Sequence, residues 1–119
     1  DGVHVGLEDL PIDAARSVVG SLRIVGATTP SIAEARRARD ADYVSVGPMF
    51  PSGTKPGLPA RGFGYLEAAK RLGVPHFCIG GITARNAEPR MVRVAVCAGV
   101  IAEPDVAAAA RSIRRRLTR

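Results

Sequence analysis

The segment Tyr43-Val44-Ser45-Val46 runs directly into Gly47-Pro48-Met49-Phe50-Pro51-Ser52-Gly53-Thr54-Lys55. A short apolar run followed by turn formers and hydroxyls reads as a buried strand opening into an anion-binding loop. Glycine and proline hold such a loop in turn geometry, so two side-chain hydroxyls, backbone amides and an ammonium group can converge on phosphate or carboxylate oxygens. Lys55 and Lys70 are the only lysines in an arginine-rich chain, which sets Lys55 apart from a residue drawn from a common pool.

Outward from this segment, strand-like runs alternate with helical patterns. Upstream, Gly2-Val3-His4-Val5 reads as a strand, Pro11 to Val19 as a helix with Pro11 suited to its first turn, and Arg23-Ile24-Val25-Gly26 as a second strand. Ser31 and Glu34 have capping-box spacing, Ala35, Ala38 and Ala41 continue that helix, and Asp42 to Gly47 is the third strand. Downstream, Leu66, Ala69 and Leu72 place a helix over Phe63 to Leu72, stopped by Gly73 and Pro75. His76-Phe77-Cys78-Ile79 is the fourth strand, with a tight exit at Gly80-Gly81-Ile82. Thr83 is expected to cap a short helix that includes Pro89, Arg93 to Ala98 to form the fifth strand, and Pro104 to Leu117 the last helix.

This order implies an α/β fold with a parallel sheet covered by helices, either an open doubly wound sheet or a (β/α) barrel. Both gather ligands at the C-terminal ends of their strands, where Gly47 to Lys55, Gly80-Gly81 and Ala98-Gly99 all fall. No G-x-G-x-x-G follows the first strand, so a dinucleotide fold is the weaker choice.

At 119 residues, with 46% hydrophobic and 24% charged residues, the chain reads as one globular domain with a modest core. Its formal charge of +6 is concentrated in Arg111, Arg114, Arg115, Arg116 and Arg119, the solvated end of a terminal helix. Aromatic residues make up only 4% and do not interleave with the arginines, so nucleic acid is not expected as a partner. Cys78 and Cys97 lack C-x-x-C or zinc-site spacing and read as reduced thiols suited to the cytoplasm. No apolar run approaches the ~20 residues that span a bilayer, so no membrane association is expected. A homo-oligomer is left open.

Taken together, Gly2-Val3-His4-Val5-Gly6-Leu7-Glu8-Asp9-Leu10-Pro11, the loop Gly47 to Lys55, and Ile79-Gly80-Gly81-Ile82-Thr83 resemble thiamine-phosphate synthase and its relatives, the thiazole tautomerase-like proteins. The resemblance runs over essentially the whole chain, and the middle motif is the specific one. It implies a (β/α)8 TIM barrel of which this chain supplies about strands 4 to 8 with their helices. The implied reaction joins a hydroxymethylpyrimidine diphosphate to a thiazole phosphate with Mg²⁺, releasing pyrophosphate through a dissociative step.

By the same resemblance, Asp9 is a magnesium carboxylate, and Thr28 is a hydroxyl on the diphosphate. Ser52, Gly53 and Thr54 form the thiazole-phosphate loop, and Lys55 is the catalytic cation on the leaving diphosphate. Gly81 lends a backbone amide to the thiazole phosphate. Cys97 and Ala98 close the site at the end of the last strand through backbone N–H groups. His4, inside a short strand, is expected to be a packed or hydrogen-bonded core residue, and His76 to be structural.

Three departures qualify these expectations. The family's remaining diphosphate ligands and first metal ligand lie on earlier strands, so activity is expected only from a complete barrel, within a chain of about 200 residues or through pairing with another half. The stretch Ala87 to Val92 is shorter than the family's helix and turn. Pro30 stands where relatives often carry a histidine, one the resemblance implies the tautomerase-like branch uses, which favours the synthase. The alternatives are a tautomerase-like enzyme of the same fold and a non-catalytic phosphate-ligand module.

Overall fold

The computed structural model describes residues 1–53, 57 and 59–118. Five parallel strands, β1 (Gly2–Val5), β2 (Ile24–Thr29), β3 (Tyr43–Val46), β4 (His76–Ile79) and β5 (Val94–Ala95), lie side by side in sequence order. Helices α1 (Ile12–Val19), α2 (Ile32–Arg37) and α3 (Gly62–Lys70) cross between the first four strands. A 3₁₀ helix, Pro89–Met91, precedes β5, and α4 (Ala98–Ile101) and α5 (Val106–Leu117) follow it.

The register separates two faces. Ala27 pairs with Val44, and Val46 with Cys78, so these apolar residues share the face that the helices cover. One core there joins Val46 and Cys78 to Tyr65, Leu66 and Ala69 of α3, and to Met49, Ile82, Met91 and Ile113. A second core joins Ala27 and Val44 to Ala38 and Ala41. The opposite face carries His4, Thr28, Tyr43, Ser45 and Phe77, since Gly26 pairs with His4 and Tyr43 and Ser45 pairs with Thr28 and Phe77. Ile24 and Ile79, on this same face by strand alternation, are 49% and 41% exposed.

Several expected boundaries move, each for a local reason. Strand β2 runs three residues past Gly26 because Thr28 and Thr29 pair with Ser45 and Val46, so Thr28 belongs to the strand. Helix α2 ends at Arg37 instead of reaching Ala41. Beyond it, Asp42 ties the chain back to the sheet: its backbone N–H donates to Val25 O, and its carboxylate accepts from Val25 N at 2.7 Å and from Arg16 at 2.6 Å. The Val25 N–H and then Arg16 hold the Asp42 carboxyl below its ordinary range. The capping box forms in a variant geometry, with the Ser31 hydroxyl accepting from Glu34 N and donating to the Glu34 carboxylate at 2.8 Å.

No continuous helix links Thr83 to Pro89. The chain makes one turn, in which Ala87 N donates to Thr83 O, and Pro89 then forces Glu88 into extended backbone before the 3₁₀ helix. Strand β5 is two residues long, not six. Its partner β4 turns away at Gly80 (φ +95°), leaving no ladder beyond Ile79 paired with Ala95. Cys97 consequently precedes α4 and Ala98 opens it; neither ends a strand.

Candidate active site

Loops at the C-terminal ends of all five strands surround a cleft of about 530 Å³. β1 contributes His4, β2 contributes Thr28, and β3 contributes Ser45 and the following Pro51-Ser52-Gly53. The exit of β4 adds Gly80 to Thr83, and the segment after β5 adds Val96 to Gly99.

Close backbone approach holds these exits together. Met49 N donates to Ile79 O at 2.9 Å, and Phe50 N to Gly80 O at 3.1 Å, which pins the β3 loop along the β4 exit. Gly81 has φ +65°, and a Cβ there would lie 2.7 Å from Pro51 O and 2.8 Å from Phe50 O. Glycine is therefore demanded first by this loop-to-loop packing, and only secondarily by access for a ligand. A Cβ on Gly99 would sit 2.2 Å from Ile82 O, so the start of α4 is seated equally closely.

Asn86 completes the brace. Its amide nitrogen donates to Gly81 O at 2.9 Å, and its amide oxygen accepts from Thr83 N at 2.8 Å. One side chain thus clamps both ends of the Gly81-Ile82-Thr83 exit. On the other side, Tyr65 of α3 places its phenol oxygen 2.6 Å from Thr29 O and 3.0 Å from Ser31 O, while the Thr29 hydroxyl donates to Ser45 O at 2.7 Å. The strand end that presents Thr28 is fixed from behind.

No Lys, Arg, Asp or Glu lines the cleft among the described residues; its polar side chains are hydroxyls, one imidazole and one thiol. His4 Nδ1 lies 2.9 Å from Tyr43 Oη, and Nε2 lies 2.9 Å from Thr28 Oγ1. Partial burial lowers the imidazole below its ordinary range, against the opposing pull of the Asp9 carboxylate. This favours the neutral ring.

Of the residues singled out from sequence, Thr28, Ser52, Gly53, Gly81, Cys97 and Ala98 converge on this cleft. Thr54 and Lys55 lie outside the described residues. Asp9 does not line it. Asp9 borders an adjoining hollow that shares Thr28 and Thr29 with the cleft and also contains Glu34 and Arg37. There its Oδ2 accepts from Gly6 N at 2.6 Å, closing the turn after β1.

His4 is hydrogen bonded, as expected, but it faces the cleft instead of the core. His76 begins β4 half-buried and does not line the cleft, in keeping with a structural place. Ser45 and Asn86 escaped notice in the sequence. Strand alternation puts Ser45 with Tyr43 and Gly47, and the Thr-x-x-Asn spacing from Thr83 to Asn86 was the available signal for the brace.

Among the described residues, no helix is long and apolar enough to cross a membrane. Cys78 and Cys97 are free thiols.

Residues 1–102 match the TMP-TENI family, described as thiamine monophosphate synthase. A thiamine-phosphate synthase from Thermosynechococcus vestitus is 43% identical over 125 aligned positions, covering 99% of this chain and 36% of the relative. One from Methanospirillum hungatei is 40% identical, covering 93% of this chain and 58% of the relative. Among solved structures, a thiamine phosphate pyrophosphorylase from Pyrococcus furiosus superposes with a TM-score of 0.85 at 30% identity, covering 98% of this chain and 59% of that one. The chain thus spans between about a third and three-fifths of the length of these relatives. With a family match over 102 of its residues and a parallel α/β architecture shared with a solved relative, the chain belongs to the thiamine monophosphate synthase family.

Proposed function

We propose that this chain is the C-terminal arc, strands 4 to 8, of a (β/α)8 barrel that joins hydroxymethylpyrimidine diphosphate to thiazole phosphate. The products are thiamine phosphate and pyrophosphate. The observation that carries this is the meeting of Thr28, Ser52-Gly53 and Gly81 in one cleft without charged walls among the described residues. The barrel placement is supported by α1, α2 and α3 all packing on one face while the cleft residues occupy the other. A doubly wound sheet would cover both faces.

The chemistry asks little proton transfer of the protein. The bond from the pyrimidine methylene to the diphosphate oxygen breaks, its electron pair leaving with the diphosphate, and the thiazole nitrogen lone pair forms the new C–N bond. The protein must hold the two partners in line and stabilise the leaving charge. Ser52, Gly53, Thr54 and the Gly81 amide are assigned to the thiazole phosphate, with backbone N–H groups at Cys97 and Ala98 closing that side. Thr28 and Lys55 are assigned to the diphosphate.

Magnesium fits in a restricted way. No cluster of three or more His, Cys, Asp or Glu residues able to hold a metal occurs among the described residues. Asp9 commits Oδ2 to Gly6 N and leaves Oδ1 for a cation, which suits an ion carried mainly by diphosphate oxygens and water. When bound, that ion would neutralise part of the leaving group's charge. Free thiols at Cys78 and Cys97 suit a cytoplasmic setting.

Pro30 lines the cleft where relatives often have a histidine, and the lack of that histidine weighs against the tautomerase-like reaction that is expected to use it. The test is to incubate full-length protein with both substrates and Mg²⁺ and to assay thiamine phosphate and pyrophosphate. Binding of the thiazole phosphate with neither product formed would sink the assignment. Lys55→Ala is expected to lower kcat by about 10²–10³ while changing thiazole-phosphate affinity far less. A non-catalytic module would lose affinity alone.

A further inference from the structure

We propose that Tyr43 and His4 are positioning residues that fix the Thr28 hydroxyl as a hydrogen-bond donor toward the diphosphate in the cleft. This rests on the diphosphate assignment above and adds two residues to it.

The geometry begins with a missing side chain. His4, Gly26 and Tyr43 are in register on three adjacent strands. A Cβ on Gly26 would lie 2.1 Å from Tyr43 Cζ, so the tyrosine ring occupies the lane that glycine leaves open across β2. Through this lane the phenol of β3 reaches the imidazole of β1, with Oη 2.9 Å from Nδ1 and ring centroids 5.5 Å apart. Phe77 stands edge-on to Tyr43 at 5.2 Å and steadies its ring. The far side of the imidazole then meets Thr28, with Nε2 2.9 Å from Oγ1.

Proton inventory determines the direction of the chain. A neutral imidazole carries one N–H and one lone pair, so it donates to one neighbour and accepts from the other. In one arrangement Tyr43 donates to Nδ1, Nε2–H donates to Thr28, and the threonine proton is left for the cleft. In the reverse arrangement Thr28 spends its proton on Nε2, and the phenol proton is left over inside the aromatic row. A phenol O–H is more acidic, and so a better donor, than an aliphatic alcohol. The first arrangement also leaves the spare proton where water or a ligand can accept it.

The consequence is the sign of the dipole that an anion meets. Held as an acceptor from Nε2–H, Thr28 presents O–H to a diphosphate oxygen; reversed, it would present lone pairs and repel it. In a cleft without charged walls among the described residues, that difference sets whether this side chain helps or hinders.

The test is made on full-length protein labelled with ¹⁵N-histidine, using long-range ¹H–¹⁵N correlation without ligand, with His4→Gln identifying the His4 signals. The expected result is the Nε2–H tautomer in the parent protein and a shift toward Nδ1–H in Tyr43→Phe. An Nδ1–H tautomer in the parent, or no change in Tyr43→Phe, overturns the relay. Inorganic pyrophosphate binding tests its purpose. Tyr43→Phe is expected to weaken binding about three- to tenfold, Thr28→Ser to retain binding, and Tyr43→Phe with Thr28→Val to be no weaker than Thr28→Val alone. Additive losses overturn the coupling through Thr28. A parent protein that binds no pyrophosphate refutes the diphosphate assignment, while the tautomer alone decides the relay.

Discussion

The Tyr65 phenol, carried by α3, lies 2.6 Å from the carbonyl oxygen of Thr29 and 2.9 Å from its hydroxyl at the end of β2. A buried aromatic residue thus spans the core and satisfies the backbone next to Thr28, so packing and site geometry share one hydrogen-bond network. Tyr65→Phe keeps the ring and deletes the donor. It should cost about 1–2 kcal/mol, because the single phenol proton is best directed at the buried Thr29 carbonyl, which loses that partner. Urea denaturation should show a lower midpoint at unchanged slope; an unchanged midpoint would mean that the network contributes nothing to stability.

Alkaline stability follows from the same core. Cys78 is fully buried. Burial pushes its thiol from 9.0 up to about 11, and burial likewise raises Tyr65. Because the folded pKa lies above the unfolded one, the contribution is complete below pH 9 and is lost as pH rises through about 11. For the thiol the full effect is about 2–3 kcal/mol. Stability measured from pH 8 to 11, on the order of three units, should fall less steeply in Cys78→Ala than in the parent, even though the variant starts lower. Parallel curves would contradict the assignment.

Val92 holds φ 58° and ψ −58°, and Arg93 N donates to Met91 O across it at 2.6 Å. This is the rare γ-turn with positive φ, strained for any L-residue and most of all for a β-branched one. Its side chain is 60% exposed, so little packing is lost on removing it. Val92→Gly should stabilise the protein by about 1 kcal/mol or slightly more. A lower melting temperature in the glycine variant would show that the turn is not strained.

Alternation of apolar runs with helical spacing identified five strands, because burial against helices leaves a local trace in Val44-Ser45-Val46 and His76-Phe77-Cys78-Ile79. The end of β5 left none: Val94-Ala95-Val96 has strand propensity throughout, and it is the departure of β4 at Gly80 that stops the pairing. Ser52 and Gly81 could be singled out through their motifs, and Thr28 only through its place in the family resemblance. The Tyr43 to His4 contact depends on a side chain absent from Gly26, two strands meeting across a third, and no sequence spacing encodes that.

Asn86 offers the most discriminating test of the cleft itself. It clamps Gly81 O and Thr83 N, yet it is not among the residues lining the cleft, so its influence must pass through the shape of the β4 exit. If that exit holds the thiazole phosphate, Asn86→Ala should raise KM for the thiazole phosphate about tenfold while kcat and the KM for the pyrimidine diphosphate change much less. The magnitude corresponds to losing two hydrogen bonds of ordinary net strength, at about 0.5–1.5 kcal/mol each. Asn86→Asp keeps the acceptor for Thr83 N but sets a carboxylate oxygen against Gly81 O and adds negative charge beside the exit, so it should be at least as damaging as Asn86→Ala. An equal rise in both KM values would show that the exit shapes the whole cleft rather than one phosphate subsite.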